Sequence, residues 1–453
     1  PPFPPRRSPD RPAELRDAVN AIHNQGSGFP GSATMSGTRA FIKAGTAATV
    51  PAAGDQTITM GNNSDTRITL FDSTGNQHNT TTIQAIMANA SLGSGASAAN
   101  GPWNIAEVAT TMQDWLRQNG TTTATVAVSA TTGKLNINLN STTYNIALRD
   151  EVNTAGTVPA PIGSTAADAT IQFDANGDGV IDETVSGFSN FFGLNDLFVD
   201  DVVDNIHESN VMATSFAASA ATLTIYDGTT STNITVASGE SLATIAANIT
   251  AATAAGVTAT VIPDGAGQRL RISSNNGNAI TVTQAAGNTF LTNIGMHSGD
   301  VRVSEQIRVR DDIISSPGLV TRGTMQWDAA KGAAGEYFQS KGDNTLIKSM
   351  SQMFATTNSF DAAGGLSTTT MTFVSRSTSI LTNNATLAEL SDSQRTYQED
   401  LSNSLKTKSD TFRGVNLDEE MSNLILFEQG YSAAARVISV IQDMFDALER
   451  VIR

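Results

Sequence analysis

The chain has no cysteine. Small secreted domains rely on disulfides, but 453 residues can bury a core without them, so this absence fits either the cytosol or the exterior. Charge is sparse and one-sided: 15% of residues are charged, with 43 acidic against 27 basic, for a net charge of -16. Such a surface repels polyanions, which argues against nonspecific binding to nucleic acid or to an anionic membrane. Uninterrupted apolar runs fall well short of the ~18 residues of a membrane span, so none is expected, and no cleavable signal peptide is visible. Aromatics make up only 6%. What fills the middle of the chain is Thr, Ser, Asn, Ala and Gly, a bias that suits exposed β-rich modules, where Thr fits the pleat and Asn and Gly make turns.

Length allows two to four domains. The opening PPFPPRRSPDRP places six of the thirteen prolines in twelve residues, reads as a linker or appended remnant, and with no initiator Met suggests a fragment. Arg11 to Gln25 has a helical pattern, with Leu15, Val19 and Ile22 on one face and Gly26 able to end it. From Ala48 short strands take over: Thr57 to Met60 and Thr66 to Phe71 alternate, DSTGN at Asp72 to Asn76 is a turn, and Ile105, Val108, Met112, Trp115 and Leu116 mark a helix. Strands at Thr123 to Val128 and Leu135 to Leu139 follow. The same order of strands, helix, strands recurs between Ala221 and Ile294, which predicts two modules of one kind. Between them, Ile171 to Asn210 combines a turn-rich hairpin with Phe188, Phe191, Phe192 and Phe198, which a folded chain buries.

From Asp343 onward the pattern is almost continuously helical. It ends at Gly414 to Arg453, where Leu417, Met421, Leu424, Tyr431, Ala435, Ile438, Ile441, Phe445, Leu448 and Ile452 recur at three- and four-residue steps, with Glu428 filling one turn of the stripe. A long isolated helix is marginal unless packed, so this stripe is expected to seat against another chain. An ordinary monomeric core is the other reading.

The sharpest local motif is DANGDGVIDE, Asp174 to Glu183. Asp174, Asn176, Asp178 and Asp182 stand at the first, third, fifth and ninth positions of a calcium loop with Gly179 at the sixth, but Val185 occupies the twelfth, where a bidentate glutamate belongs. Calcium and a plain hairpin turn both stay open. HESNV at His207 begins like a zinc-protease motif and fails at Val211; with His23, His78 and His297 scattered elsewhere, a zinc site is not expected. The chain has no phosphate loop, nucleophile elbow or dinucleotide fingerprint. Paired carboxylates such as Asp200 with Asp201 and Asp311 with Asp312 suit solvated faces, so no enzyme is expected.

The run GVNLDEEMSNLILFEQGYSAAARVISVIQDMFDALERVI resembles the C-terminal signature of flagellar axial proteins, most closely the hook-associated ones. ELRDAVNAIHNQG at Glu14 to Gly26 and FFGLNDLFVDD at Phe191 to Asp201 are similar to further segments of that family, and Ala221 to Ile294 is similar to its insertion motif. The resemblance implies an α+β multidomain fold: a helical axial rod domain formed by both chain ends, with β-rich domains inserted between them. It divides the chain into a linker (1–13), rod (14–47), inserted β-rich domain (48–155), rod hairpin and aromatic cluster (156–212), a second inserted domain (213–300), rod (301–413) and a terminal axial coiled-coil helix (414–453). It further implies a structural protein of the extracellular bacterial flagellum, exported by the flagellar type III apparatus without a cleaved signal. That protein would self-associate in a ring at the hook tip and touch the hook protein, a second junction protein and an export chaperone. The N-terminal helical segment expected to pair with the terminal helix is replaced here by PPFPPRRSPDRP, so the terminal helix is expected to be poorly packed. A calcium-dependent surface adhesin, the hook protein itself and a filament-borne hydrolase remain as alternatives.

Overall fold

A computed structural model describes residues 12–41, 56–93, 95–130, 132–152, 156–157, 159–175, 177–200, 203–253, 256–298 and 306–452. The chain divides into two compact units, Pro1–Ser379 and Ile380–Arg453.

In the first unit, three antiparallel sheets enclose one core. Strand Ser64–Asp72 pairs with Gln77–Thr82 on one side and Tyr144–Val152 on the other. Thr57–Met60 pairs with Trp103–Asn104 and with Thr170–Asp174, which in turn pairs with Glu183–Ser186. Lys134–Asn138 lies between Thr34–Ala40 and Thr125–Val128. Helix Ile105–Gln118 closes this core with Val108, Met112, Trp115 and Leu116; it starts where Asn104 accepts the Ala106 amide, satisfying one of the orphan donors of a helix start. Both the strand at Thr34–Ala40 and the hairpin after Thr170 join these sheets.

Phe188, Phe191 and Phe192 are buried in the same core: Phe191 packs on Phe41 and Phe173, Phe192 on Phe41, and Phe188 on Phe192. Their short helix Phe188–Phe192 ends at Gly193, whose φ of 65° is open to glycine; a Cβ there would collide with Thr38. Phe198, grouped with them by sequence, is half-buried and belongs to another cluster.

The second β-rich module has its own core of Leu223, Ile225, Ile234, Leu242, Ile245, Ile249, Leu270, Ile272 and Phe290. Ala221–Tyr226 is flanked by Ser231–Val236 and Thr281–Gln284. Val257–Asp264 pairs with Gly267–Ser274, and Ile206–Glu208 adds to that sheet. Helix Leu242–Ala252 packs across the strands and is capped by Ser241, as the corresponding helix of the first module is by Asn104.

A third cluster joins segments distant in sequence. Helix Pro12–His23 presents Val19 and Ile22 to Leu346 and Met353 of helix Thr345–Ala355, with Leu197, Phe198 and Phe373 around them. The segments before and after the two modules therefore meet, as a nested layout requires. Hairpin Gln326–Asp328 with Glu336–Phe338 covers the sheet of the first module through Met325 and Tyr337, which pack on Phe71 and Ala147. For that reason Ser64–Asp72 is buried on both faces, not on one as its alternation implies.

Candidate functional site

In the second unit, helix Leu417–Ile452 follows a break at Gly414–Asn416 that ends helix Phe373–Arg413. It contains no proline, and its charges suit its dipole: Asp418, Glu419 and Glu420 lie in the first turn and Arg450 in the last. Thirty-six residues make a rod about 54 Å long at ~1.5 Å per residue.

None of its residues is buried. Every residue of the expected stripe, Leu417, Met421, Leu424, Tyr431, Ala435, Ile438, Ile441, Phe445, Leu448 and Ile452, is exposed, with Leu417 at 73% and Tyr431 at 80%. So the helix forms and leaves the stripe uncovered. Exposed apolar patches larger than a few hundred Å² mark interaction surfaces. The stripe is also wider than sequence reading made it: Leu426, Phe427, Val437, Val440, Met444 and Val451 are exposed as well. The spacing of Val437, Val440 and Met444 by three and four residues was a legible signal of this second face. A helix apolar on two faces is covered by more than one neighbour when it is packed.

The expectation of no membrane-spanning segment needs correction on one point. Within Phe373–Ile452 an 18-residue window of mean hydropathy 1.3 is long and apolar enough to cross a membrane, and none of that window is buried in the fold. A test for uninterrupted runs misses it because isolated polar and charged side chains such as Glu428 and Arg436 interrupt the sequence without lowering the average enough.

The two other segments that resemble axial proteins, Glu14 to Gly26 and Phe191 to Asp201, form one buried polar knot. Asn195 donates through its side-chain amide to the Gly26 carbonyl at 2.7 Å and to the Thr321 hydroxyl at 2.5 Å. Its backbone amide donates to Asn24 Oδ1 at 2.8 Å, and Asn24 donates to Asp196 Oδ1 at 2.6 Å. Asn20 Oδ1 accepts the amides of Leu197 and Phe198, each at 2.9 Å. His23 is fully buried: Nδ1 donates to the Asn195 carbonyl at 2.5 Å, and Nε2 accepts the Thr321 amide at 2.9 Å. Burial, the largest cause, holds its pKa down at about 4. Buried polar groups are costly unless partnered, and here each partner lies on a different segment, so the knot fixes the path of three chain passages at once.

A second buried cluster anchors the covering hairpin. Arg67 donates to Glu151 Oε2 through Nη2 at 2.8 Å and Nε at 3.1 Å, Tyr337 donates to Glu151 Oε1 at 2.6 Å, and Arg149 Nε lies 3.6 Å from the same carboxylate. Arg149 also donates to the Met325 and Ser164 carbonyls. Both guanidiniums sit over the Tyr337 ring, 5.2 and 5.4 Å from its centroid.

The calcium-like loop has a local explanation. Asp174 accepts the amides of Gly177 at 2.7 Å and Gly179 at 2.8 Å, Asp178 accepts that of Val180 at 2.8 Å, and Asp182 accepts that of Ala175 at 2.9 Å. These bonds build the turn between Thr170–Asp174 and Glu183–Ser186. Asp182 is exposed by area but crowded by the loop; that partial desolvation, followed by the charges of Asp174, Asp178 and Glu183, raises its carboxyl to about 6. Asn176 lies outside the described residues. Among the described residues no group of three or more His, Cys, Asp or Glu side chains is placed to hold a metal ion. His207 and Glu208 lie next to each other on a strand and so point to opposite faces of its sheet, with Glu208 buried and paired to Arg271 Nε at 2.6 Å.

Two family models match the chain: the flagellar basal body rod FlgEFG protein C-terminal model at residues 412–451, and the flagellin hook IN motif at residues 222–276. No curated protein matches it. The first match falls on the exposed terminal helix and the second on the β-rich module of Ala221–Ser274. Together they support a structural component of the bacterial flagellum, of the axial kind that self-assembles.

Proposed function

We propose that the protein is a hook-associated junction protein, a structural part that joins the flagellar hook to the filament and is required for filament assembly. The observation that carries the reading is the terminal helix, a 36-residue rod with every stripe residue exposed, on the residues that match an axial C-terminal model. Such a surface is stable in water only when other helices cover it, and copies of the chain arranged in a ring at the hook tip supply them. The β-rich modules inserted between the two sides of the rod add bulk and lateral contact. The FGLNDLF and LDEEM runs favour the junction protein over the hook protein itself.

On this reading the chain leaves the cell by the flagellar export route, escorted by a chaperone, and meets the hook protein and a second junction protein at its two ends. It acts by shape and packing, without catalysis. Expression of the full-length protein in a cell lacking it restores filament attachment and swimming, and the same protein without residues 414–453 of this sequence does not; attachment retained after that truncation overturns the proposal. Hook length unchanged in the deleted cell separates a junction protein from the hook protein, whose loss removes the hook.

A further inference from the structure

The His23 ring occupies a position that only its neutral form fits. Its Nδ1–H donates to the Asn195 carbonyl, and its Nε2 lone pair accepts the amide hydrogen of Thr321, 298 residues further along the chain. Backbones approach closely at the same seam: a Cβ on Gly26 would lie 2.2 Å from Thr321 Cγ2 and 2.5 Å from the Gly323 carbonyl oxygen. A proton taken from solvent binds at Nε2, the one ring nitrogen with a lone pair. The imidazolium then keeps its bond to Asn195 and points a second N–H at the N–H of Thr321, donor against donor.

We propose that His23 is an acid-sensitive latch on the seam between the first rod helix, the Asn195 loop and the returning segment at Thr321, and that protonation of its ring releases the Thr321 passage while the module cores stay folded. The groups facing the ring set the balance. From the returning segment, the Arg310 guanidinium opposes a positive ring and Asp312 favours it. Asp312 is itself held by Arg310 through paired hydrogen bonds. From the loop, the buried Asp196 carboxyl accepts from Asn24 and Thr38, and burial raises its pKa above the usual carboxylate range. On the helix itself, Arg16 bonds to both Asp17 and Asp200, which keeps those charges engaged with one another. Among the described residues the Thr321 amide, which is buried, donates to the His23 ring, so opening of the seam is the route by which a protonated ring regains water.

The test is amide hydrogen exchange of the full chain between pH 7 and pH 4.5, corrected for the intrinsic rate and read at Thr321 and at Leu116 and Ile249 in the two module cores. Because a released imidazole takes up a proton near 6.5 and the latched ring resists it, opening is favoured by up to about tenfold per pH unit below 6.5. Protection of Thr321 is therefore expected to fall by up to about 100-fold between pH 6.5 and pH 4.5, with the core amides unchanged. In His23→Gln, whose amide can donate to Asn195 and accept from Thr321 but does not titrate, that dependence is flat. An equal loss of protection in His23→Gln assigns the opening to nearby carboxylates and overturns the proposal, as does no loss in the wild type or equal loss at all three amides. Should His23→Gln not fold, the wild-type ring decides the matter by its NMR titration: no midpoint above pH 5 supports the latch, and a midpoint at 6 or higher refutes it.

Discussion

Glu151→Gln is the substitution whose cost follows most directly from the packing. The Glu151 carboxylate is fully buried between Arg67 and Arg149, accepts two hydrogen bonds from Arg67 and one from Tyr337, and lies beneath the hairpin that covers the first module. Replacing the carboxylate by an amide keeps the shape but removes the charge that compensates two buried guanidiniums. Breaking a buried ion pair by removing one partner typically costs ~3–5 kcal/mol, and the lower end applies here because Arg67 retains the carbonyls of Ala160 and Pro161 and Arg149 those of Met325 and Ser164. A loss of about 3 kcal/mol corresponds to a drop of roughly 6 °C in the melting temperature of a domain of this size. Trp327 is a ready probe, since its ring is 4.8 Å from that of Tyr337. The assay is urea unfolding followed by fluorescence, with Tyr337→Phe as a second arm; loss of the hydroxyl that bridges Glu151 and Gly163 costs about 1–2 kcal/mol. A change below about 0.5 kcal/mol in Glu151→Gln would place the cluster among solvent-screened surface pairs and refute the clamp.

Asp150 gives a pH dependence of known sign. Burial, the first cause, and then the nearby Asp168 carboxylate raise its pKa to about 7 against the Thr66 and Phe188 hydrogen bonds, so the folded state holds a proton that the unfolded chain releases near 3.8. Its contribution is greatest below 3.8 and is lost as pH rises through 7. Part of the residue remains in touch with solvent, which roughly halves the full linkage value to about 2 kcal/mol, and Asp150→Asn flattens that component of a stability profile from pH 4 to pH 8. Phe191→Ala opens a cavity among Phe41, Phe173 and Phe192 and removes the ring under the Arg39 guanidinium, for a loss of about 3–5 kcal/mol in denaturant unfolding; a loss under about 1 kcal/mol contradicts the packing. Millimolar calcium shifts the melting temperature by less than about 1 °C if the Asp174–Asp182 loop is a self-contained turn, and a rise of several degrees makes it a binding site.

Much of the local structure was legible because burial periodicity and capping are short-range. The strands at Thr57–Met60 and Ser231–Val236, the helices at Ile105–Gln118 and Leu242–Ala252, and the terminal helix follow their patterns closely. The double burial of Ser64–Asp72 was not legible, since Arg67 and Asp65 read as a solvent face until the partners that satisfy them, Glu151 and the Ala160 amide, arrive from the other end of the module. The same limit hid the Asn195 knot: a run of Asn and His looks like a loop, and only the return of Thr321 makes it a core. The stripe of the terminal helix was readable from spacing alone. The acidic loop stays ambiguous in sequence for the converse reason, because the residues that bind calcium are also those that make tight turns.

The central claim is that the exposed stripe of Leu417–Ile452 becomes an interior surface of the assembled flagellum. The absence of native cysteine allows one label to decide it. Ile438→Cys and, as a control on an exposed turn of the second module, Asn276→Cys are each treated with a maleimide on the isolated protein and on intact flagella. Both are expected to react in the isolated protein, and only Ile438→Cys to become protected, by tenfold or more, on assembly, as burial under neighbouring helices would enforce at about 1.4 kcal/mol per factor of ten in exposure. Equal labelling of Ile438→Cys in the two states would contradict it.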